Sequence, residues 1–229
     1  MSEELWSAVD GYLVEKLIPA DPVLAEALRA NAAAGLPAID VAPNQGKLLN
    51  LLARMSGAKR ILEIGTLGGY STIWLARALP ADGKLVSLEF EAKHAEVARA
   101  NIERAGLSSI AEVRIGPAAE SLAHLVSEDA APFDFIFIDA NKESYPEYLE
   151  WSLRLARVGT AIVADNVIRE GALIDPAETD IRVQGVRQFI EAVAANRRFD
   201  ATALQTVGSK GYDGFVLAIV SDLWPTPTE

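Results

Sequence analysis

"RILEIGTLGGYSTIWLARALPADGKLVSLEF", residues 60–90, is where the texture of the chain changes. A short apolar run, "RILEIG", reads as a strand. Glycines follow, then "GYSTIWLARALP" with helical spacing, then a second apolar run, "KLVSLEF". Strand, helix of about a dozen residues, strand is the βαβ unit, whose right-handed crossover lays its two strands parallel. The unit recurs downstream. "AKHAEVARANIERAG", "AAESLAHLV" and "YPEYLEWSLRLA" read as helices between the strands "AEVRIG", "FDFIFID" and "GTAIVAD". A last helix, "VQGVRQFIEAVAANR", precedes "ATALQTVG" and "GFVLAIV". The Gly-rich "SKGYDG" between those two runs reads as a hairpin, which adds an antiparallel strand. Upstream, "SEELWSAVDGYLVEKLI", "PVLAEALRANAAAG" and "QGKLLNLLARMSG" read as three helices broken at Pro or Gly. The expected architecture is α/β, with a seven-stranded, mostly parallel sheet, one antiparallel strand and helices on both faces. Residues 1–57 are expected as extra N-terminal helices and residues 58–229 as the core of a single domain.

Composition narrows the function. The 229 residues are half hydrophobic and carry a net charge of −11. That charge opposes polyanions, and the basic residues are scattered rather than clustered, which argues against nucleic acid as a partner. There is no cysteine, so neither disulfides nor thiolate metal sites arise. The N-terminus is acidic and has no signal-peptide pattern, and no run approaches the ~20 apolar residues of a membrane helix. A soluble, cytoplasmic protein with no membrane partner is expected.

In an open α/β sheet, ligands bind beyond the carboxyl ends of the strands. The residues placed there are Glu63 and Gly65, Glu89, Gly116, Asp139, and Asp165 with Asn166. The loop "LEIGTLGGYS" suits close approach of a nucleotide-like ligand, but it is not G-x-G-x-x-G, because Leu67 replaces the second glycine. Glu89, 24 residues after Gly65, is placed to accept hydrogen bonds from ribose hydroxyls. Glu63 would repel a pyrophosphate but suits the ammonium and sulfonium charges of S-adenosylmethionine. The methyl donor is therefore preferred over a dinucleotide.

At this point the chain resembles the cation-dependent O-methyltransferases, the family of caffeoyl-CoA and catechol O-methyltransferases. "LEIGTLGGYSTIWLARALPADGKLVSLE" looks like its first motif, and "GAKRILEIG", "IGPAAESL", "FIFIDANKESYPEYLE", "GTAIVADNV" and "VG…DGFVLA" follow in family order. The resemblance implies a Rossmann-like methyltransferase fold and S-adenosylmethionine as cofactor. By it, Val41, Glu63, Gly65, Thr66 and Ser71 would hold the methionine end, Glu89 the ribose, and Ala118 would lie by the adenine, with Asp139 also near the donor. It further implies a homodimer.

Asp139, Asp165 and Asn166 offer oxygen ligands from two strand ends. Two carboxylates and a neutral amide suit a hard divalent cation, Mg²⁺ ahead of Mn²⁺ or Ca²⁺, and the resemblance names the same three positions. A phenol has a pKa of about 10, so near neutrality a cation that lowers it and fixes the oxygen speeds methylation. Lys142, three residues beyond Asp139, is the candidate to take the phenol proton or to steady the phenolate. His94 and His124 fall within helices and read as surface or packing residues. Tyr145, Tyr148 and Trp151 read as one packed helix face, and "REGALIDPAETDIR" as a mobile lid. The chain departs from the family at Asn141, where relatives have Asp, at Val167-Ile168-Arg169, at Ile190 and in the lengthened "TVGSKGYDG". These departures surround the acceptor pocket. The expected reaction is methyl transfer to a hydroxyl of a catechol-like small aromatic acceptor. A modified tRNA nucleoside as acceptor, and a nicotinamide-dependent oxidoreductase, are the alternatives.

Overall fold

The computed structural model describes residues 2–130 and 132–222; residue 1 and residues 223–229, the ends of the expected domain, lie outside them. Seven strands form one sheet in the order β3-β2-β1-β4-β5-β7-β6. They are β1 (Arg60–Ile64), β2 (Lys84–Glu89), β3 (Ala111–Ile115), β4 (Phe133–Ile138), β5 (Ala156–Asp165), β6 (Phe199–Gly208) and β7 (Gly211–Val220). The first five are parallel, and β7 runs antiparallel to both neighbours.

The central run "FDFIFI" is buried at all six positions, because helices cover the sheet on both sides. Its alternation sorts the core into two. Phe135 and Phe137, with Ile61 and Val163, join the cluster that holds Leu24, Leu49, Ile73 and Trp74. Ile136 and Ile138, with Leu62, Ile64 and Ile162, join the cluster with Leu125, Tyr145, Leu149 and Phe189. The first cluster draws on α2 (Pro22–Ala33), α3 (Pro43–Met55), α4 (Tyr70–Ala76) and α5 (Ala92–Arg104). The second draws on α6 (Ala118–Ser127), α7 (Tyr145–Leu155) and α8 (Ile181–Ala195). The remaining helix, α1 (Glu3–Leu17), is fastened to the sheet end by buried Asp10. That carboxylate accepts from Asn44 Nδ2 at 2.9 Å and from the Ser209 amide at 2.8 Å. No helix among the described residues is long and apolar enough to cross a membrane.

Two expectations change. The hairpin is tighter than "SKGYDG" suggested: Gly208 pairs with Gly211, so only residues 209–210 turn and residues 211–214 belong to β7. The segment expected as a mobile lid forms a kinked turn over Arg169–Ile174, with left-handed backbone at its start, and then lies against α8. Arg187 on α8 donates to the carbonyls of Leu173, Ala172 and Asp175, which fastens it.

At the amino end of the sheet, Asp134 ties three strands together. It accepts from the amides of Lys59 and Arg60 at 2.8 and 2.9 Å and from Arg157 Nη2 at 2.6 Å. Burial pushes its carboxyl upward, but these hydrogen bonds and the guanidinium outweigh that and hold it below the usual carboxylate range. A depressed folded-state pKa means stability that is present at neutral pH and lost as pH falls through that value. Asp134→Ala would take the charged acceptor from two backbone amides and the Arg157 guanidinium, and is expected to cost about 2–3 kcal/mol in a urea titration at pH 7, with the slope unchanged. A loss below about 0.5 kcal/mol would refute the tie.

Candidate active site

The winding reverses between β1 and β4, and a cavity of about 910 Å³ opens at the carboxyl ends there. The β1 and β4 loops touch across this point. Gly65 has φ +94, and a Cβ on it would lie 2.2 Å from the Asp139 carbonyl oxygen. Only glycine lets the two backbones approach this closely.

On one side the cavity is lined by Val41, Gly65, Thr66, Ser71, Glu89 and Ala118. Glu89 braces the β1 loop: one carboxylate oxygen accepts from the amides of Thr66 and Leu67 at 3.3 and 2.9 Å. Its other oxygen accepts from the Glu91 amide and lies 3.5 Å from His94 Nδ1. Ala118 opens α6, with its end toward the cavity. Glu63 is placed differently from the expected direct contact. It is fully buried and absent from the lining, one layer behind Ser71. Its carboxylate receives the hydroxyls of Ser71, Thr72 and Ser87. Burial pushes its pKa up to about 7 against those three hydrogen bonds, and the charge of Asp139 adds a little.

On the other side stand Asp139, Lys142 and Asn166. Lys142 sits on the 3-10 turn Lys142–Ser144, which aims it back along β4. Its Nζ donates to Asp139 Oδ1 at 2.7 Å and to the Tyr145 hydroxyl at 2.8 Å. The Tyr145 hydroxyl in turn lies 2.9 Å from the Asp165 carbonyl. Burial first, then the charges of Asp139, Asp165 and Asp213, push the Tyr145 pKa well above 10, so it stays a phenol. Asp165 is 5% exposed and accepts from Gln45 Nε2 at 2.6 Å and from the Asn166 amide at 2.9 Å. Burial and then the charge of Asp139 push its carboxyl up to about 7.

This donor set fits a hard divalent cation. All its ligating atoms are oxygens. Burial and the neighbouring Asp139 charge disfavour the ionised form of Asp165, and a bound cation would favour it. Asn166, in the left-handed region at φ 55, extends the set with an amide on the cavity wall.

Several residues that line or support the site were not read from the sequence. Gln45 lies 120 residues from the carboxylate it touches, and no local pattern marks it. His94, read as an ordinary helix residue, lines the cavity; His124 is exposed elsewhere. Tyr145 and Tyr148 are packed as expected, with Trp151 half-buried beside them, but their hydroxyls serve the site. Asn141 accepts from the Tyr148 hydroxyl and donates to Ser144 Oγ, which sets that stretch of wall. The lengthened "TVGSKGYDG" keeps its closing pair in place, with Asp213 Oδ1 accepting from the amides of Ile168, Arg169 and Gly214.

A family model described as O-methyltransferase matches residues 15–219. The chain belongs to the O-methyltransferase family. A catechol O-methyltransferase of Niastella koreensis is 54% identical over 220 residues, 96% of this chain and 100% of that one. The O-methyltransferase from Bacillus cereus, solved in complex with SAH, superposes with a TM-score of 0.95 at 58% identity, covering 96% of this chain and 100% of that one. The O-methyltransferase TomG from Streptomyces achromogenes, involved in tomaymycin synthesis and solved with SAM, superposes at 0.93 with 49% identity, covering 97% and 100%. The alternative of a nicotinamide-dependent oxidoreductase falls with this membership.

In this O-methyltransferase, Glu63 couples stability to pH. Its folded-state pKa is raised, so its contribution is full below about 4.5 and declines as pH rises toward 7. Glu63→Gln removes that titration. The melting temperature of the variant relative to wild type is expected to rise between pH 5 and pH 8 in ligand-free protein; a pH-independent difference would refute it.

Proposed function

We propose that the enzyme transfers the methyl group of S-adenosylmethionine to one hydroxyl of a catechol-like small aromatic acceptor, with a divalent cation bound. One observation carries this reading. Lys142 Nζ is held between Asp139 and the Tyr145 hydroxyl, next to Asp165 and Asn166, and opens onto the same cavity as the Gly65 loop. Val41, Gly65, Thr66 and Ser71 are the proposed holders of the methionine part, with Glu63 acting through the Ser71 hydroxyl. Glu89 is the proposed ribose acceptor, and Ala118 the residue beside the adenine.

Asp139, Asp165 and Asn166 would hold the cation, Mg²⁺ ahead of Mn²⁺ or Ca²⁺ for an all-oxygen set. When bound, the cation supplies Lewis acidity that lowers the pKa of the acceptor hydroxyl. Gln45 and Lys142 keep Asp165 and Asp139 oriented, which is the outer support such ligands need. Lys142 is the proposed acid–base residue. Tyr145 stays protonated, so its oxygen accepts one Lys142 N–H while its own proton goes to a backbone carbonyl. That arrangement holds Nζ at the cavity wall, where it can steady a phenolate or receive its proton. The exposed stripe Leu5, Val9, Tyr12 and Leu17 on α1 supports pairing with a second copy.

Calorimetry is expected to show S-adenosylmethionine binding, and a catechol is expected to be methylated with added Mg²⁺ and not in excess EDTA. Full turnover in EDTA would sink the cation. Asp139→Ala and Asp165→Ala are expected to abolish turnover while keeping most donor binding. Lys142→Ala is expected to lower kcat about 10²- to 10⁴-fold and to change the pH–rate profile. A wild-type profile in that variant would remove the acid–base role.

A further inference from the structure

We infer that Arg169 is a specificity residue that selects acceptors bearing a carboxylate, so that the preferred substrate is a phenolic acid rather than a neutral catechol. The inference deepens the proposed acceptor class and rests on it. Arg169 lines the cavity on the side of Asn166 and Lys142. Its side chain is 25% exposed, and its Nε is buried with no hydrogen-bond partner. The guanidinium makes one ion pair among the described residues, from Nη1 to Asp213 Oδ2 at 3.8 Å, too long for a hydrogen bond. The other Asp213 oxygen is taken by three backbone amides. The guanidinium makes no hydrogen bond among the described residues, so holding it three-quarters buried is costly unless an anion meets its remaining N–H groups.

The backbone keeps it there. Arg169 and Glu170 both have positive φ, 54 and 57. Successive non-glycine residues in that region need an outside restraint, which the Asp213 carboxylate gives by accepting from Ile168 and Arg169. The turn that carries the side chain is therefore fixed before a ligand arrives.

The surroundings define the anion. Arg182, the other guanidinium on the wall, is already engaged by Asp180 through Nε at 3.0 and 3.1 Å. Glu143 and Glu147 also line the wall and would repel a group of higher charge. A guanidinium paired only at 3.8 Å, on a wall that also carries two carboxylates, suits a single negative charge, and its planar fork matches a carboxylate.

The test compares 3,4-dihydroxybenzoate with its neutral isostere 3,4-dihydroxybenzamide in wild type and in Arg169→Gln. Wild type is expected to show a kcat/KM for the acid at least about 10-fold above the amide, and the variant to lose that ratio, by about 10- to 100-fold. Any effect on turnover common to both acceptors cancels in the ratio, and Arg169→Lys should restore part of it. An equal ratio in the two proteins, or no wild-type preference, overturns the inference. Should neither compound be methylated, the catechol reading is what fails. Benzoate, which has no hydroxyl, then isolates the anion contact by calorimetry with S-adenosylhomocysteine present. Binding to wild type that is lost in Arg169→Gln supports the contact; no binding, or equal binding, overturns it.

Discussion

Asp139 and Asp165 end neighbouring parallel strands whose last paired residues are Ile138 and Ala164, so register alone sets their carboxylates side by side. Burial, and then the charge of Asp139, raise the Asp165 pKa to about 7. Much of the site relieves this crowding. Lys142 brings one positive charge from a turn, Gln45 brings an amide from α3, and the Asn166 amide closes on its own neighbour. Tyr145 belongs to the same system, since burial and then the surrounding carboxylates keep it protonated and so keep it a fixed partner for Lys142.

A second constraint joins this corner to the β1 loop. With glycine at position 65 the loop backbone rests against the Asp139 carbonyl, so both halves share one cavity. The loop is held from behind as well as from below. Glu89 takes two of its amides, and Asn101 reaches the Gly68 carbonyl at 2.8 Å while touching Asn31 of α2 at 3.0 Å. The N-terminal helices are thus part of the site: α3 supplies Gln45, and the approach to it supplies Val41.

Charge is distributed with purpose across a molecule of net −11. Asp139 and Asp165 meet where a cation would be bound, and of the two guanidiniums on the cavity wall Arg169 acts on Tyr145 while both act on Asp180. Of these, the Arg182 charge is answered within the fold. That of Arg169 is answered only at a distance.

Sequence alone determined the alternation of strands and helices, the two-sided burial of β4 and the residues at the strand ends. Those features follow from backbone periodicity, which is local, and Lys142 is legible because it lies three residues from Asp139 on one turn. Tertiary structure alone decided the contact of Gln45 with Asp165 across 120 residues, that of Asp10 with Ser209 across 199, the retreat of Glu63 behind Ser71, and the short hairpin turn. These are choices of partner by polar side chains, and they depend on which distant segments packing brings within about 3 Å. A chain read in order carries no signal of that distance.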